Sequence, residues 1–369
     1  MHHRDGTVYN HSMNTLSTKT LKVRVRDGHI FSLNQQGKNV NFVWNFLNET
    51  SHRFIKERGK FMSAFDLQKY TDGAGKELGL HSHTIQEVGK EYVTRKKQFK
   101  KAKLKWRKSH GVKRSLGWIP FKSGALKWKN GSIYFNGQYF RVWDSYGLAH
   151  YTFKSGSFNE DSRGRWYLNI VVSFEAKQGQ GKHAVGIDLG CKQSATDSNG
   201  HKVIGREYRK LETKLGLAQR ANNKKRVKAI HSKIKSRRAD TLHKYSRKLV
   251  NENAAIFVGN VSSQKLVKTN MAKSVLDASW GTLKAMLEYK CAHANIVFEE
   301  VNEAYTTQTC SCCGEIPISS PKGRAGLGIR GWTCSVCHTT HDRDINSGKN
   351  ILAVGLHRLA EGKVAGHPP

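Results

Sequence analysis

Residues 183–190 read His-Ala-Val-Gly-Ile-Asp-Leu-Gly, an apolar run that presents a carboxylate, Asp188, at its end. Far along the chain, residues 341–346 read His-Asp-Arg-Asp-Ile-Asn and begin a pattern with apolar residues on one helical face. This pattern places Asp344 in the first turn of a helix, where the helix dipole favours a carboxylate. A strand end and a helix start that each deliver one carboxylate can together hold two divalent metal ions. The two stretches therefore predict one catalytic domain that is assembled from distant segments.

The second stretch also has a purely structural interpretation. Asp342 or Asp344, taken alone, is better explained as a cap of the helix than as a metal ligand. The conjunction with Asp188, and with the cysteines described below, favours the catalytic interpretation.

The order of elements around Asp188 predicts an RNase H-like fold. Three short strands are followed by a long segment, 206–250, whose apolar residues recur at helical spacing beneath a cationic face. A buried strand, a helix at 277–292 and a last strand complete the order. The predicted strands are residues 184–189, 194–198, 202–204, 255–258 and 296–301.

The amino-terminal half has a different pattern. Alternating residues predict a strand at 21–33, apolar residues at helical spacing predict helices at 40–105, and strand patterns return at 116–176. An Asn130-Gly131 turn between two alternating runs predicts a hairpin. We expect a small β-barrel or sheet that includes the first strand and carries the helices as an insertion.

The net charge of the chain is +35 at pH 7, with 63 Lys and Arg residues against 28 Asp and Glu residues. A surplus of this size predicts salt-sensitive binding to a polyanion, because each cation that lies on a phosphate releases condensed counterions. Eleven of the twenty residues at 95–114 are Lys or Arg. The aromatic residues among them favour a groove that follows a nucleic-acid backbone over a merely solvated face.

The sequence gives no indication of a membrane protein. A membrane surface is the alternative partner for the positive charge, but no basic stretch is accompanied by a long amphipathic face, and every apolar stretch is too short to span a bilayer. The first residues are charged, and no apolar signal segment follows them. We therefore expect a cytoplasmic protein.

Four cysteines in two C-x-x-C pairs are the most specific motif of the chain. Cys310 and Cys313 form one pair, Cys334 and Cys337 form the other, and twenty residues separate the pairs. Two tight turns of this kind present four thiolates to one zinc ion, and a closed site of four thiolates is structural rather than catalytic. Cys312 would give a worse spacing than either member of its pair. The odd total of seven cysteines argues further against a disulfide framework.

Together, these motifs resemble TnpB, the family of RNA-guided nucleases encoded by small bacterial insertion sequences and related to single-effector CRISPR nucleases. The resemblance covers residues 183–359 and depends on five stretches. They are Val185-Gly-Ile-Asp-Leu-Gly, Val275-Leu-Asp-Ala-Ser-Trp, Leu287-Glu-Tyr-Lys, Thr306-Thr-Gln-Thr-Cys-Ser-Cys-Cys-Gly and Asp342-Arg-Asp-Ile-Asn. Residues 1–180 match the family only in their order of elements.

The resemblance implies a mixed α/β multidomain architecture. An RNase H-like RuvC nuclease domain would contain an inserted zinc ribbon that binds target nucleic acid, and a wedge β-barrel would carry a helical recognition lobe. The implied domains are the first wedge strand (1–34), the recognition lobe (35–115), the rest of the wedge barrel (116–180), the RuvC domain (181–305), the zinc ribbon (306–340), the last RuvC helix (341–362) and a tail (363–369).

The resemblance also implies an activity and partners. A guide RNA transcribed from the end of the element would direct cleavage of double-stranded DNA beside a short target-adjacent motif that the protein reads. Base pairing would supply the sequence specificity, while a basic channel holds the heteroduplex by its backbone. The same resemblance implies a bacterial cytoplasm, near the nucleoid, and raises the transposase of the element as a further partner.

One position departs from the family pattern at a catalytic residue. The family places a glutamate at the end of the fourth strand of the nuclease domain, and this chain has Gly259 there. The neighbouring strand ends with Glu299, Glu300 and Glu303, which are the available replacements. We favour Glu303 over Glu300, because Glu303 lies at the mouth of that strand and can reach across the space left by Gly259. A smaller departure is Asn346-Ser347-Gly348, where the family has Asn-Ala-Ala.

These residues lead to three hypotheses for function. In the first, Asp188, Glu303 and Asp344 hold two Mg²⁺ ions, one to activate a water and one to stabilise the leaving 3′ oxygen, and the protein is an RNA-guided DNA endonuclease. In the second, Gly259 makes the chain a nuclease-dead, RNA-guided repressor. In the third, the chain is a transposition accessory protein that needs no guide, which we disfavour because the sequence contains no helix-turn-helix or tyrosine nucleophile motif.

Overall fold

The computed structural model describes residues 16–262, 266, 268–323 and 325–363. They form two compact units, an amino-terminal unit that ends at Glu175 and a carboxy-terminal unit that begins at Ala176. Each unit has its own buried apolar core and is described separately. No helix among the described residues combines the length and the apolar character needed to cross a bilayer.

The amino-terminal unit contains eight described strands in two antiparallel sheets. They are β1 (Leu16–Val25), β2 (Trp118–Phe121), β3 (Leu126–Lys129), β4 (Ser132–Phe135), β5 (Gln138–Phe140), β6 (Val142–Trp143), β7 (Phe153–Glu160) and β8 (Trp166–Glu175). The larger sheet has the order β2-β7-β8-β1-β6, and the smaller one is the meander β3-β4-β5. Phe135 of the meander packs against Phe121 and Phe158 of the larger sheet, with ring centroids 5.5 and 5.4 Å apart. The pairing of β1 with β8 confirms that the first strand completes the sheet.

Four helices lie in sequence between β1 and β2, so they are an insertion in the larger sheet. They are α1 (Ile30–Arg58), α2 (Ala64–Gln68), α3 (Ala74–Leu78) and α4 (Ser82–Phe99). Helix α1 buries Val40, Val43 and Leu47, whose spacing of three and four residues defines one helical face. The predicted helical insertion is therefore present.

Two predicted boundaries in this unit are wrong. The strand predicted at 21–33 ends at Val25, and after one 3-10 turn the chain enters α1. Leu33 already belongs to the buried face of that helix, and a local alternation of residues cannot distinguish this from the end of a strand. The helices predicted to residue 105 end at Phe99, because Lys100 adopts a left-handed conformation with a φ angle of 50°.

The Asn-Gly turn predicted in this unit is confirmed. Asn130 and Gly131 connect β3 to β4 and have φ angles of 49° and 67°. Two consecutive positive φ angles are typical of the type I′ turn, whose twist matches that of a hairpin.

The carboxy-terminal unit is built on a five-stranded mixed sheet. Its strands are β9 (His183–Asp188), β10 (Gln193–Asp197), β11 (Lys202–Ile204), β12 (Asn253–Gly259) and β13 (Val297–Val301). The order is β11-β10-β9-β12-β13. Strands β9 to β11 form an antiparallel meander, and β12 and β13 run parallel to β9. This arrangement confirms the RNase H-like fold predicted from the order of elements.

Helices connect and cover this sheet. Those described are α5 (Glu207–Arg220), α6 (Lys224–Glu252), α7 (Ala272–Ala278), α8 (Trp280–Ala294) and α9 (Arg343–Ala360). The single helix predicted at 277–292 is wrong, because Ser279 has a φ angle of 57° and separates α7 from α8. Helix α9 lies directly on β9, since a β-carbon at Gly186 would collide with the carbonyl oxygen of Gly348 and the amide nitrogen of Leu352. This close approach brings the start of α9 to the end of β9.

Candidate active site

Asp188 is the last residue of β9, where the buried strand emerges from the sheet. Val185 and Ile187 are fully buried, whereas Asp188 is half-buried. The hydroxyl of Ser347, on α9, donates a hydrogen bond of 2.8 Å to Asp188 Oδ1. The neighbouring parallel strand, β12, ends at Gly259, so Asp188 lies at the carboxyl edge of two strands.

Asp344 lies in the first turn of α9, as predicted, and does not cap the helix. The cap is Asp342, whose Oδ1 accepts hydrogen bonds from the backbone N–H groups of Asp344 and Ile345 at 3.0 and 3.1 Å. Asp344 is buried, and Arg330 Nη1 donates to both of its carboxylate oxygens at 2.9 and 2.8 Å. Arg343 adds two longer contacts of 3.3 Å. The capping role therefore belongs to Asp342, and the Asp344 carboxylate is paired with Arg330 and Arg343.

Glu303 occupies the space that a side chain at position 259 would need. A β-carbon at Gly259 would collide with Glu303 Oε2 and would lie 3.2 Å from both Cβ and Cδ of Glu303. Gly259 pairs with Val301 in the sheet, so the chain passes over the glycine two residues after β13 ends. The backbone N–H of Val261 donates a hydrogen bond to the Glu303 carboxylate. The carboxylate of Glu303 thus lies beside the position where the TnpB pattern has its glutamate.

The other two glutamates of this segment are engaged elsewhere. Glu300 accepts a hydrogen bond of 2.6 Å from Lys284 Nζ, and its side chain is 43% exposed. Glu299 accepts a hydrogen bond of 2.7 Å from Arg358 Nε. Successive residues of a strand point to opposite faces, which explains why these neighbours have different partners. Of the three glutamates, Glu303 is the one that contacts the space above Gly259.

Burial affects two of the candidate carboxylates, and repulsion from neighbouring carboxylates acts on Asp188. The pKa of Asp188 is raised to about 7, chiefly by burial and further by the negative charges of Asp344 and Glu303. The Ser347 hydrogen bond and the charge of Arg343 oppose this rise. Burial also raises the pKa of Glu303, against the lowering effects of Lys284 and of the Val261 N–H. The negative charges of Asp344 and Glu303 therefore both act on Asp188.

The chemistry of this donor set fits a hard divalent cation. Carboxylate oxygens are the ligands that Mg²⁺ prefers, and its positive charge would relieve the repulsion that acts on Asp188. The three carboxylates are not as tightly grouped as the cysteines described next. Among the described residues, those cysteines are the one group of three or more potential ligands whose ligand atoms all lie within 4.8 Å of one another.

The four cysteines predicted to bind zinc meet at one point. Cys313 Sγ and Cys334 Sγ are 3.8 Å apart, which is the separation of about 3.8 Å expected for a tetrahedron with Zn–S bonds of about 2.3 Å. Cys310 Sγ and Cys337 Sγ are 3.5 Å apart. The second pair lies in the turn between β14 (Gly331–Thr333) and β15 (Thr340–Asp342), which form a small antiparallel ribbon. Cys312 is exposed and is not part of the cluster.

Two contacts, one within the cysteine-containing segment and one from it to the candidate active site, were not predicted from the sequence. His341 is buried against Trp332, and its Nε2 lies 3.0 Å from Cys310 Sγ. Arg330, which holds Asp344, directly precedes the first ribbon strand. Neither contact follows from the spacing of residues in the sequence, so only the folded chain reveals them.

A second missed feature has a signal in the sequence. Asn346 and Asn350 are four residues apart on α9, and the side chain of each donates to the backbone carbonyls of Thr306 and Thr309 at 2.7–3.2 Å. Residues four apart lie on the same face of a helix, so the pair could have been predicted to bind one segment. The two asparagines attach the start of the cysteine-containing segment to α9.

Comparisons with known proteins identify similar sequences. Residues 280–351 match the family described as Cas12f1-like, TNB domain. The chain is 34% identical over 220 residues to a protein of Streptomyces pristinaespiralis named "Putative RNA-guided DNA endonuclease", and the match covers 55% of this chain and 53% of that protein. It is 29% identical over 170 residues to "TnpB-like protein L79" of Acanthamoeba polyphaga mimivirus, with 44% of this chain and 31% of that protein covered. The chain thus spans about half the length of the first relative and less of the second.

A solved structure has a similar fold. It is described as "Cryo-EM structure of the Cas12f1-sgRNA-target DNA complex", and the match has a TM-score of 0.54 at 13% sequence identity. It covers 91% of this chain and 98% of that chain, so the likeness extends over both compact units. At this level of identity, the match supports the fold alone.

Proposed function

Because this chain belongs to a TnpB-like family, which confirms the resemblance found in the sequence, we propose that it is an RNA-guided, metal-dependent DNA endonuclease. A guide RNA transcribed from the end of the mobile element would pair with one strand of double-stranded DNA. Cleavage would follow beside a short target-adjacent motif. In this proposal, the amino-terminal unit supplies the wedge and the recognition lobe, and the carboxy-terminal unit supplies the RuvC nuclease and the zinc ribbon.

The position of Glu303 above Gly259 carries this proposal. A repressor without nuclease activity would have no need for a carboxylate in the space left by the missing side chain. Glu303 nevertheless fills that space, and its charge and that of Asp344 both act on Asp188. The arrangement favours an active enzyme with a relocated glutamate over a nuclease-dead repressor.

Asp188, Glu303 and Asp344 would hold two Mg²⁺ ions. When bound, the ions would supply an activated water and stabilisation of the leaving 3′ oxygen. The residues of the chain position these ligands: Asp342 caps α9 so that the Asp344 carboxylate stays free of that role. Arg330 neutralises Asp344 in the described structure and would have to leave at least one of its oxygens when a metal binds.

The cationic face of α6 supports a nucleic-acid partner. Ile230, Ile234 and Leu242 are buried on one side of this helix, and the opposite side is lined by lysines and arginines. The exposed lysines and arginines of this helix are Lys224, Lys225, Arg226, Lys228, Lys233, Lys235, Arg237, Lys244, Arg247 and Lys248. A rigid row of cations can follow a phosphate backbone and release its counterions.

Only part of the basic run at 95–114 is available to bind the nucleic-acid partner. Phe99 and Trp106 are each 55% exposed, which leaves their rings available for stacking against bases. Lys96, by contrast, is buried and donates a hydrogen bond of 2.6 Å to Ser51 Oγ. Arg107 is likewise used within the unit, where its Nε donates to an asparagine side chain at 2.6 Å. The groove predicted from the sequence would therefore use the exposed members of the run.

A cleavage assay tests the proposed function. The purified protein would be combined with RNA transcribed from the DNA that flanks its gene, and with a plasmid library that carries the matching target beside randomised sequence. We expect cutting that requires Mg²⁺, the RNA and one short flanking motif. Binding without cutting would favour the repressor, and activity that is indifferent to RNA would favour the guide-independent accessory protein.

We expect the protein to copurify with RNA. A charge of +35 leaves basic surfaces that repel one another when no polyanion covers them. Nuclease-treated protein should therefore associate and lose solubility at low salt, and should recover when guide RNA is added. Light scattering measures the association. If treated protein stays monodisperse at low salt and prefers no RNA, the RNA-guided proposal loses its main physical support.

Gly259→Ala should lower cleavage by about 10²-fold, which is the typical cost of displacing a catalytic group by roughly 1 Å. The new β-carbon would push the flexible end of Glu303 away, at little cost to the fold. Gly328→Ala is the matched control, because a β-carbon there meets no atom within 4 Å. Thermal unfolding of both variants should match that of wild type.

We expect Gly259→Glu to cleave DNA no faster than the wild-type protein. A fourth carboxylate would add negative charge beside Asp188, where repulsion already raises the pKa. Single-turnover cleavage rates at saturating guide RNA measure the effect. A faster Gly259→Glu variant would contradict the assignment of Glu303 and would identify the natural chain as a repressor with an incomplete site.

A further inference from the structure

Two buried hydroxyl groups lie between Asp188 and the turn that carries Glu303. Ser347 Oγ donates to Asp188 Oδ1 at 2.8 Å and lies 2.9 Å from Thr306 Oγ1. Thr306 Oγ1 in turn lies 2.8 Å from the backbone carbonyl oxygen of Glu303, to which it donates. Ser347 is fully buried and Thr306 is 5% exposed, so water does not compete for these contacts. The hydroxyls therefore link two candidate metal ligands that belong to different elements.

The number of protons decides the direction of the link. Two hydroxyl groups supply two protons to three contacts, so one contact must share a proton. An ionised Asp188 only accepts hydrogen bonds, which requires Ser347 to donate to it. The Thr306 proton is then shared between Ser347 Oγ and the Glu303 carbonyl oxygen. A carboxylate ready to bind a metal thus fixes the orientation of the Ser347 hydroxyl, while the Thr306 hydroxyl is directed toward the Glu303 carbonyl oxygen.

The contact between Ser347 and Asp188 depends on the close packing of α9 on β9. A β-carbon at Gly348 would lie 3.0 Å from Ser198 N and 3.3 Å from Gly186 O, so glycine at this position allows the helix to approach the sheet. With the helix this close to the sheet, the side chain of Ser347 reaches the Asp188 carboxylate. An alanine would fit in the same space but would leave Asp188 Oδ1 without its donor.

We propose that Ser347 and Thr306 are positioning residues for the metal ligands. A hydrogen bond to Oδ1 fixes the rotation of the Asp188 carboxylate, and therefore the direction of Oδ2. The second hydroxyl fixes the distance from Asp188 to the backbone of Glu303. The pair holds two ligands from distant parts of the sequence at the separation that a divalent cation requires. This inference rests on the proposed function and names two residues that would set the metal affinity of its active site.

Metal binding to the complex of protein and guide RNA tests this role. We expect Ser347→Ala to raise the half-saturating Mn²⁺ concentration about tenfold, as is typical when a partner of a metal ligand is removed, and Thr306→Val to raise it less. Calorimetry without DNA measures this value, and the Mg²⁺ dependence of cleavage measures it independently.

Ser198→Ala is the matched control for this experiment. Ser198 is also buried beside β9, where its Oγ accepts a hydrogen bond of 3.3 Å from Gly186 N, but it does not contact Asp188. Its metal dependence should equal that of wild type.

Two results would overturn the positioning role. One is wild-type metal affinity in both Ser347→Ala and Thr306→Val. The other is a loss of thermal stability and of cleavage at every metal concentration with the half-saturation point unchanged, which indicates a structural role only. Wild-type complex that neither cuts DNA nor binds Mn²⁺ would instead overturn the proposed function.

Discussion

Asp188→Ala, Glu303→Ala and Asp344→Ala should each lower guide-directed DNA cleavage by about 10³-fold or more, which corresponds to about 4 kcal/mol of lost transition-state stabilisation. Each substitution removes one ligand of the proposed metal site. None removes a cation that contacts phosphate, so binding of matched DNA by the protein and guide RNA should be nearly unchanged. Cleavage rates under single-turnover conditions, together with gel-shift affinities in Ca²⁺, measure the two properties separately.

Glu300→Ala is the matched control for Glu303→Ala. Both residues belong to the same acidic segment, but Glu300 is paired with Lys284 and does not contact the space above Gly259. We expect Glu300→Ala to cut within a few-fold of wild type. If Glu303→Ala cuts as fast as wild type and Glu300→Ala does not, the role of the missing glutamate passes to Glu300. If wild-type protein binds matched DNA and never cuts it in Mg²⁺, the repressor hypothesis is correct.

Among the substitutions proposed for this protein, we expect loss of the cysteine cluster to have the second largest effect, on zinc content and on folding of the ribbon. Cys310→Ser or Cys334→Ser should release the one zinc ion expected per chain and unfold the surrounding ribbon, because structural zinc contributes about 10–16 kcal/mol in small zinc domains. Elemental analysis measures the zinc, and limited proteolysis between the two cysteine pairs measures the loss of structure. Cys312→Ser, at an exposed position outside the cluster, should retain both zinc and protease resistance.

The effect of zinc loss should extend to the candidate active site. Cys310 contacts His341, and the chain continues from His341 directly into the cap of α9 and Asp344. We therefore expect cleavage to fall in the cysteine variants even where guide RNA still binds. Wild-type protein that contains no zinc would contradict this prediction.

Much of the carboxy-terminal unit was predictable because its signals are local. Apolar runs bounded by turns predicted the strands of the sheet, and their order predicted the RNase H-like fold that the structure confirms. Asp188 could be placed at a strand end and Asp344 in the first turn of a helix for the same reason. Paired C-x-x-C spacing brought four cysteines into one predicted cluster, and they do meet.

The spacing of apolar residues failed to predict element boundaries where the same spacing fits two different secondary structures. The residues after Val25 continue an apolar spacing that fits the end of a strand, yet they begin α1, because Leu33 is buried with the helical face rather than with the sheet. Likewise, the spacing of apolar residues around Ser279 is helical on both sides, and only its left-handed backbone conformation divides the segment into two helices.

By itself, the sequence determined the fold class, the cysteine cluster, the positive charge and two of the three candidate carboxylates. Only the tertiary structure could place Glu303 rather than Glu300 beside Gly259, because that depends on how β12 and β13 pair and where the chain turns after them. The same holds for Ser347 and Arg330, whose partners lie 159 and 14 residues away along the chain. Composition and periodicity describe neighbours in sequence, whereas a metal site is formed by side chains that only packing brings together.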